Sequence, residues 1–264
     1  MSGPAACGTS LARPGSMPSP AARLASILLA AGLSSTFVAV ATRSRAELDL
    51  PGRMLWAWER PEDLRTLTEG GVAFLASTVR LVGSESHVLS RRQPLRVSAT
   101  TPVAAVVRVE TEKPALSVDQ RRKTVRAIVA ASRQPRVRAI QVDFDARASE
   151  RTFYRSVVHD VRRALLPGIG FSITALASWC LFDGWIEGLP VDEAVPMLFD
   201  MGADSAEVKA RLRAGRDFRL SVCRTSYGLS IAEPIEGLRG GRRIYWWSPA
   251  AWTTETQGQT RRTR

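Results

Sequence analysis

Residues 140–145 read Ile-Gln-Val-Asp-Phe-Asp. Successive side chains of a strand point to opposite faces. One face here carries Ile140, Val142 and Phe144, and the other carries Gln141, Asp143 and Asp145. A second segment, 103–110, divides the same way, with Ala105, Val107 and Val109 against Val106, Arg108 and Glu110. Carboxyl groups collected at strand ends can pass protons or hold hydroxyl groups. Further acids and aromatics fall at comparable places. Trp58 and Glu59 end the first apolar segment, Trp179 and Asp183 follow the fifth, Asp200 ends the sixth and Glu233 follows the seventh. Acids beside indole rings suit a polyhydroxylated ligand, because a flat apolar face stacks on a sugar ring while carboxylates take its hydroxyls. Asp143, Asp145 and Glu233 are therefore the candidate catalytic acids. Trp58, Glu59, Arg108, Glu110, Trp179, Asp183 and Asp200 are the candidate substrate-binding set. The same residues admit a structural reading, in which Arg108 pairs with Glu110 or Asp143 in an ion-pair network and Trp56 or Trp58 belongs to the core.

Positioning these groups in one place requires a particular fold. From residue 54 the chain alternates short apolar strands with helical segments. The predicted strands are 54–58, 72–76, 103–109, 138–143, 171–176, 194–199, 218–222 (with a second piece at 227–231) and 243–247. Helices are predicted over 61–69, after Ser117 to 132, after Ser149 to 166, and after Asp204, where Gly215 closes the last. Eight strands mostly separated by helices indicate an α/β protein with a small, partly irregular (β/α)8 TIM-like barrel. The connections between strands five and six and between seven and eight are expected to be loops. In such a barrel the polar faces of the strands point inward, and their C-terminal ends form the mouth where chemistry is placed. The alternation of strands and helices also permits an open doubly wound sheet, against which stands the lack of a Gly-rich phosphate loop after an early strand; no cofactor is expected.

The 264 residues, 45% hydrophobic and 23% charged, exclude wholesale disorder, and a single long apolar run excludes a polytopic membrane protein. The net charge is +12, but the arginines are dispersed along the chain and only three lysines occur, so nucleic acid is not an expected partner. Residues 1–41 read as a secretory leader, with Met17 as an alternative start, an apolar stretch over 24–38 and Ala39-Val40-Ala41 as a cleavage site. The expected location is the periplasm or the exterior. The alternative is an uncleaved N-terminal anchor, which would be the one membrane contact. The expected layout is the leader at 1–41, a linker at 42–53, the barrel at 54–252 and a disordered basic tail at 253–264. Cys7, Cys180 and Cys223 form no CxxC pair and His87 and His159 lie far apart, so no metal site is expected. Cys180 and Cys223 read as two buried thiols, or as one disulfide if the chain is exported.

The segments WAWERPEDLR, QVDFDARASERTFYR, SITALASWC and DEAVPMLFDMG resemble the bacterial family catalogued as domain of unknown function 3142, over residues 56 to about 252. That family implies a fold and little mechanism. More distantly, the chain resembles glycoside hydrolase-like barrels of the chitinase type. Asp143 and Asp145 match the second and third acids of their fourth-strand motif, and Met197-Leu198-Phe199-Asp200 resembles their sixth-strand element. Ile140 and Gln141 replace the leading Asp-Gly, and Arg147 stands where the proton-donating Glu belongs. Arginine cannot act as a general acid near neutral pH, so another acid such as Glu150, Glu59 or Glu233 would have to serve. Three functions follow from these residues. One is an exported glycoside hydrolase-like enzyme acting on a glycan or polysaccharide. The second is a non-catalytic envelope protein binding a glycan or a protein. The third is a metal-dependent hydrolase using Asp143, Asp145 and Asp200. The oligomeric state is not readable from the sequence.

Overall fold

The structure, a computed structural model, describes residues 48–261; the leader with its cleavage site therefore lies outside the described residues. The strands are β1 (Arg53–Ala57), β2 (Glu62–Leu64), β3 (Gly71–Val82), β4 (Glu85–Ser90), β5 (Leu95–Val97), β6 (Val103–Glu112), β7 (Val137–Asp143), β8 (Gly170–Leu176), β9 (Glu193–Met197), β10 (Ser226–Ser230) and β11 (Arg243–Trp247). The helices are α1 (Val118–Ser132), α2 (Arg151–Ala164), α3 (Ser205–Arg213) and α4 (Thr254–Gln259). Eight strands pair in parallel in the order β1-β11-β10-β9-β8-β7-β6-β3, and β3 returns to β1. The ring is thus a closed TIM-like barrel, an α/β fold.

Strand alternation divides the barrel as its residues require. Met54, Trp56, Ala73, Val106, Val195 and Tyr245 pack together inside the ring. Ala105, Val107, Ile140 and Val142 face outward into the layer shared with Ile128 of α1 and Val157 and Val161 of α2. The interior is partly polar. Gln141 accepts a hydrogen bond from Trp56 Nε1 (2.8 Å) and donates to Ser172, which donates to Glu193. Glu193 also accepts from Tyr245 Oη (2.8 Å) and pairs with Arg243 (2.6 Å). Buried acids persist only when partnered in this way.

The helices that cover the ring are uneven. α1 begins with a capping box, in which Ser117 Oγ accepts from Gln120 N and the Gln120 side chain accepts from Ser117 N. α2 is strongly amphipathic and buries Phe153, Tyr154, Val157, Val158 and Val161. It is not capped by Ser149, as the sequence suggested. A 3-10 turn over Ala148–Glu150 precedes it, in which Glu150 accepts from Arg147 N, and the helix ends at Ala164. Segment 61–69 is not a helix. It contributes β2, because Glu62 is drawn inward to pair with Arg60 (2.7 Å) and to accept from Trp252 N (2.9 Å). Between β8 and β9 there is one π-helical turn, Trp179–Asp183, and between β10 and β11 only loop. The seventh barrel strand is β10; segment 218–222 ends in a 3-10 turn, Ser221–Cys223.

The structure departs from the preferred sequence reading at four other places. The stretch before β1 is not a free linker, since Leu48 and Leu50 are buried against the interior cluster. The C-terminal segment forms α4, whose Thr253 cap and buried Gln257 and Thr260 tie it to the barrel. Cys180 and Cys223, both fully buried, are joined in a disulfide rather than lying as two thiols. The stretch after β3, expected as loop, turns back as β4, which pairs antiparallel with the second half of β3. Together β6, β3 and β4 rise past the rim, because the β6–β7 pairing stops at Arg108–Asp143 while β3 pairs with β6 as far as Glu112.

Candidate functional site

The mouth lies at the C-terminal ends of the strands and consists of two adjoining hollows of about 430 and 550 Å³. Arg108, Asp143 and Asp145 line both and so form the ridge between them. The smaller hollow runs up the raised sheet, past Arg80, Glu110, Glu112 and Arg147. The larger is floored by Trp56 and Thr174 and walled by Trp58, Trp247 and Phe199, with Asp200 and Glu233 at its edge.

Register explains the acidic ridge. Arg108 pairs across the sheet with Asp143, and Arg80 pairs with Glu110. Glu110 sits between two guanidinium groups, 3.1 Å from Arg108 and 3.4 Å from Arg80, while Arg108 Nε lies 4.0 Å from Asp143. The ion-pair network is therefore present, but it does not close the mouth, since Asp145 is exposed. Asp143 is 7% exposed and accepts a hydrogen bond from Thr174 Oγ1 (2.8 Å). Burial holds its carboxyl pKa above the ordinary range, against the opposing effects of the Thr174 bond and Arg108. Asp145, although in contact with solvent, is crowded by the walls of the mouth. Loss of hydration, then the Asp143 charge, pushes its pKa up to about 6; Asp200 adds to the rise and Arg108 opposes it.

Aromatic rings form the opposite wall. Phe199 stacks on Trp247 (centroids 6.4 Å, planes 10° apart), and Trp247 meets Trp58 edge to face at 5.5 Å. Arg60 lies over Trp247 at 5.3 Å. Asp200 adopts a left-handed backbone (φ 49°), tolerated by a short polar side chain. Its N–H points to both carboxylate oxygens of Glu233 at 3.3 Å, which ties Glu233 to the end of β9.

Of the residues singled out from sequence, Asp143, Asp145, Glu233, Trp58, Arg108 and Asp200 meet around the larger hollow, and Glu110 joins them through the smaller one. Three do not join. Glu59 accepts from the backbone N–H groups of Arg92 and Gln93 and so braces a loop. Trp179 is buried among outer-layer residues, edge to face with Trp185 at 4.9 Å. Asp183 pairs with Arg151 of α2. Strand alternation stops applying once the chain enters the π-helical turn after β8, and that turn carries both residues to the barrel's flank. Sequence reasoning missed Thr174, Phe199 and Trp247 as site residues. Alternation within β8 and β11 was a usable signal for Thr174 and Trp247, which sit two residues from the inward-facing Ser172 and Tyr245.

Among the described residues no group of three or more His, Cys, Asp and Glu side chains is placed to hold a metal ion, so Asp143, Asp145 and Asp200 do not assemble as a ligand set. No described helix is long and apolar enough to cross a membrane. Comparison of the chain with protein-family models, curated proteins and solved structures finds no match.

Proposed function

We propose that the mouth is a glycan-processing site of the glycoside hydrolase type, with Asp145 as proton donor. The observation that carries this reading is the placement of the exposed Asp145 carboxyl beside Asp143 in a cleft walled by Trp58, Phe199 and Trp247, where lost hydration and the Asp143 charge push its pKa up to about 6. A general acid must be protonated near its working pH and must reach the leaving oxygen. Asp145 meets the first condition, and the exposure of its side chain supports the second. It fills the role that Arg147 cannot. The glycosidic C–O bond breaks with its electron pair going to the leaving oxygen, which takes the Asp145 proton. Water then adds its hydroxyl to the sugar carbon and gives its proton to a carboxylate, a role we assign to Glu233, exposed at the edge of the larger hollow. Asp143, held by the Thr174 hydroxyl, orients the groups of the site next to Asp145. The aromatic wall would hold pyranose rings by stacking.

Export belongs to the same proposal. The Cys180–Cys223 disulfide supports a chain that matures in an oxidising compartment, as the leader-like segment suggests. Incubation with bacterial exopolysaccharides and envelope glycans, followed by product analysis, tests the proposal. Hydrolysis that disappears in Asp145→Asn supports it, and unchanged turnover in that variant refutes it. Arg147 in the donor position favours a second reading, a non-catalytic glycan-binding barrel. Saturable glycan binding without product formation would select that reading.

A further inference from the structure

The β10–β11 connection carries no helix, so part of the barrel's flank is covered by loop alone. Ile235 and residues 238–242 of that loop gather with Arg53 of β1, Tyr227 of β10, Ile244 and Trp246 of β11, and Thr260 and Arg261. The space between them is a hollow of about 800 Å³ that shares no lining residue with the mouth.

Its chemistry is cationic on one side and apolar on the other. Arg53, Arg239, Arg242 and Arg261 line it, with Glu69 as the single acid of the lining. Asp217, just behind, pairs with Arg242 (2.5 Å) and stands 3.7 Å from Arg239, which leaves the surroundings with an excess of positive charge. Arg53 and Arg261 are close enough that the Arg261 charge, with burial as the larger cause, lowers the Arg53 pKa. Four donors at this hollow have neither solvent contact nor a hydrogen-bond partner: Arg53 Nε and Nη1, Arg242 Nη1 and Trp246 Nε1. Arg242 and Trp246 are 10% and 7% exposed. Donors in that condition are rare in folded proteins; they are sealed from the hollow, so an acceptor there meets them only when the guanidinium groups turn toward it. Gly70 leaves space for the Arg53 group. Its backbone is left-handed (φ 113°), and a Cβ there would stand 3.1 Å from Arg53 Nε and 2.7 Å from the Arg53 carbonyl oxygen. Ile235, Leu238 and Ile244 supply the apolar side.

Guanidinium forks match the oxygens of a phosphate group. A hollow of this volume is in the range of small-molecule sites and exceeds what a bare phosphate fills. We propose that the flank hollow binds a phosphate-bearing small molecule, its oxyanion received by Arg53, Arg242 and Arg261 and its apolar body laid on Ile235, Leu238 and Trp246.

Titration calorimetry of the full chain with inorganic phosphate and with phenyl phosphate, against sodium chloride of matched ionic strength, tests this. The expected result is one saturable site, with phenyl phosphate binding at least about tenfold tighter than phosphate because of its ring. Arg261→Gln, at an exposed position that leaves the barrel intact, should weaken phenyl phosphate binding by about tenfold or more, as should Arg53→Gln. Arg108→Gln, in the mouth, should leave it unchanged. Absence of saturable heat up to ~10 mM ligand, which is beyond the affinity expected of a built site, overturns the proposal. So does equal heat from the matched salt, or full affinity in both Arg53→Gln and Arg261→Gln. Melting curves of each variant separate loss of the site from loss of the fold.

Discussion

The ionisation of Asp145 carries the functional reading, and it can be measured without a substrate. Its carboxyl pKa stands at about 6, against about 3.9 for an unperturbed aspartate. At pH 5 the group is then roughly nine-tenths protonated and at pH 7 roughly one-tenth, so a reaction that needs its proton should slow about tenfold between those values. The side-chain carboxyl resonance of Asp145, followed by carbon NMR, should show a midpoint near pH 6. Replacing Arg108 by Met removes an opposing charge and should raise that midpoint, while Asp200→Asn should lower it. Stability follows the same group. A carboxyl pKa raised by folding contributes stability that is fully present below the unfolded pKa and is lost as pH rises through 4 to 6. The rise from 3.8 to about 6 corresponds at full strength to about 3 kcal/mol; solvent contact at this exposed residue reduces it to about 1 kcal/mol. Asp145→Asn should therefore be more stable than the native chain at pH 7.5 by about that amount, and equally stable at pH 3.5. A resonance midpoint near 4, or a stability difference with no pH dependence, would refute the assignment of Asp145 as proton donor.

Other outcomes follow from the same geometry. Cys180 and Cys223 are 43 residues apart, and loss of their bond in Cys223→Ala should cost about 4 kcal/mol by loop-closure entropy, read as a lower denaturation midpoint. Glu193→Leu should cost about 3–5 kcal/mol, because it leaves the Arg243 guanidinium without its buried partner; an unchanged melting curve would contradict that account of the interior. Gly228→Ala should cost about 1–3 kcal/mol, since the added methyl would stand 2.8 Å from the Trp56 ring inside the barrel. Trp247→Ala should leave the fold intact and weaken glycan binding by about tenfold, seen by calorimetry; equal affinity would remove the aromatic wall from the site.

Much of this protein is decided by local pattern. Alternation of period two separates inward Gln141, Asp143 and Asp145 from outward Ile140, Val142 and Phe144, because strand geometry is nearly independent of context. For the same reason β11 occurs over the residues where its apolar run stands, and Ser117 starts α1 through a capping box held within four residues. Contacts between distant parts of the chain decide the rest. Segment 61–69 has a helix-like start, yet Glu62 is held by Trp252, 190 residues away, and the chain there becomes strand. The doubling of β3 against β4 raises the sheet that carries Arg80 and Glu110, and no local signal marks how far that sheet rises. Trp179 and Asp183 carry residue types suited to the mouth, but the π-helical turn after β8 sends them to the flank. Ring closure between β1 and β3 is the last determinant. It brings Asp145, Glu233 and Trp247 to one hollow, and the crowding there raises the Asp145 pKa, because a charge loses hydration only when distant segments surround it.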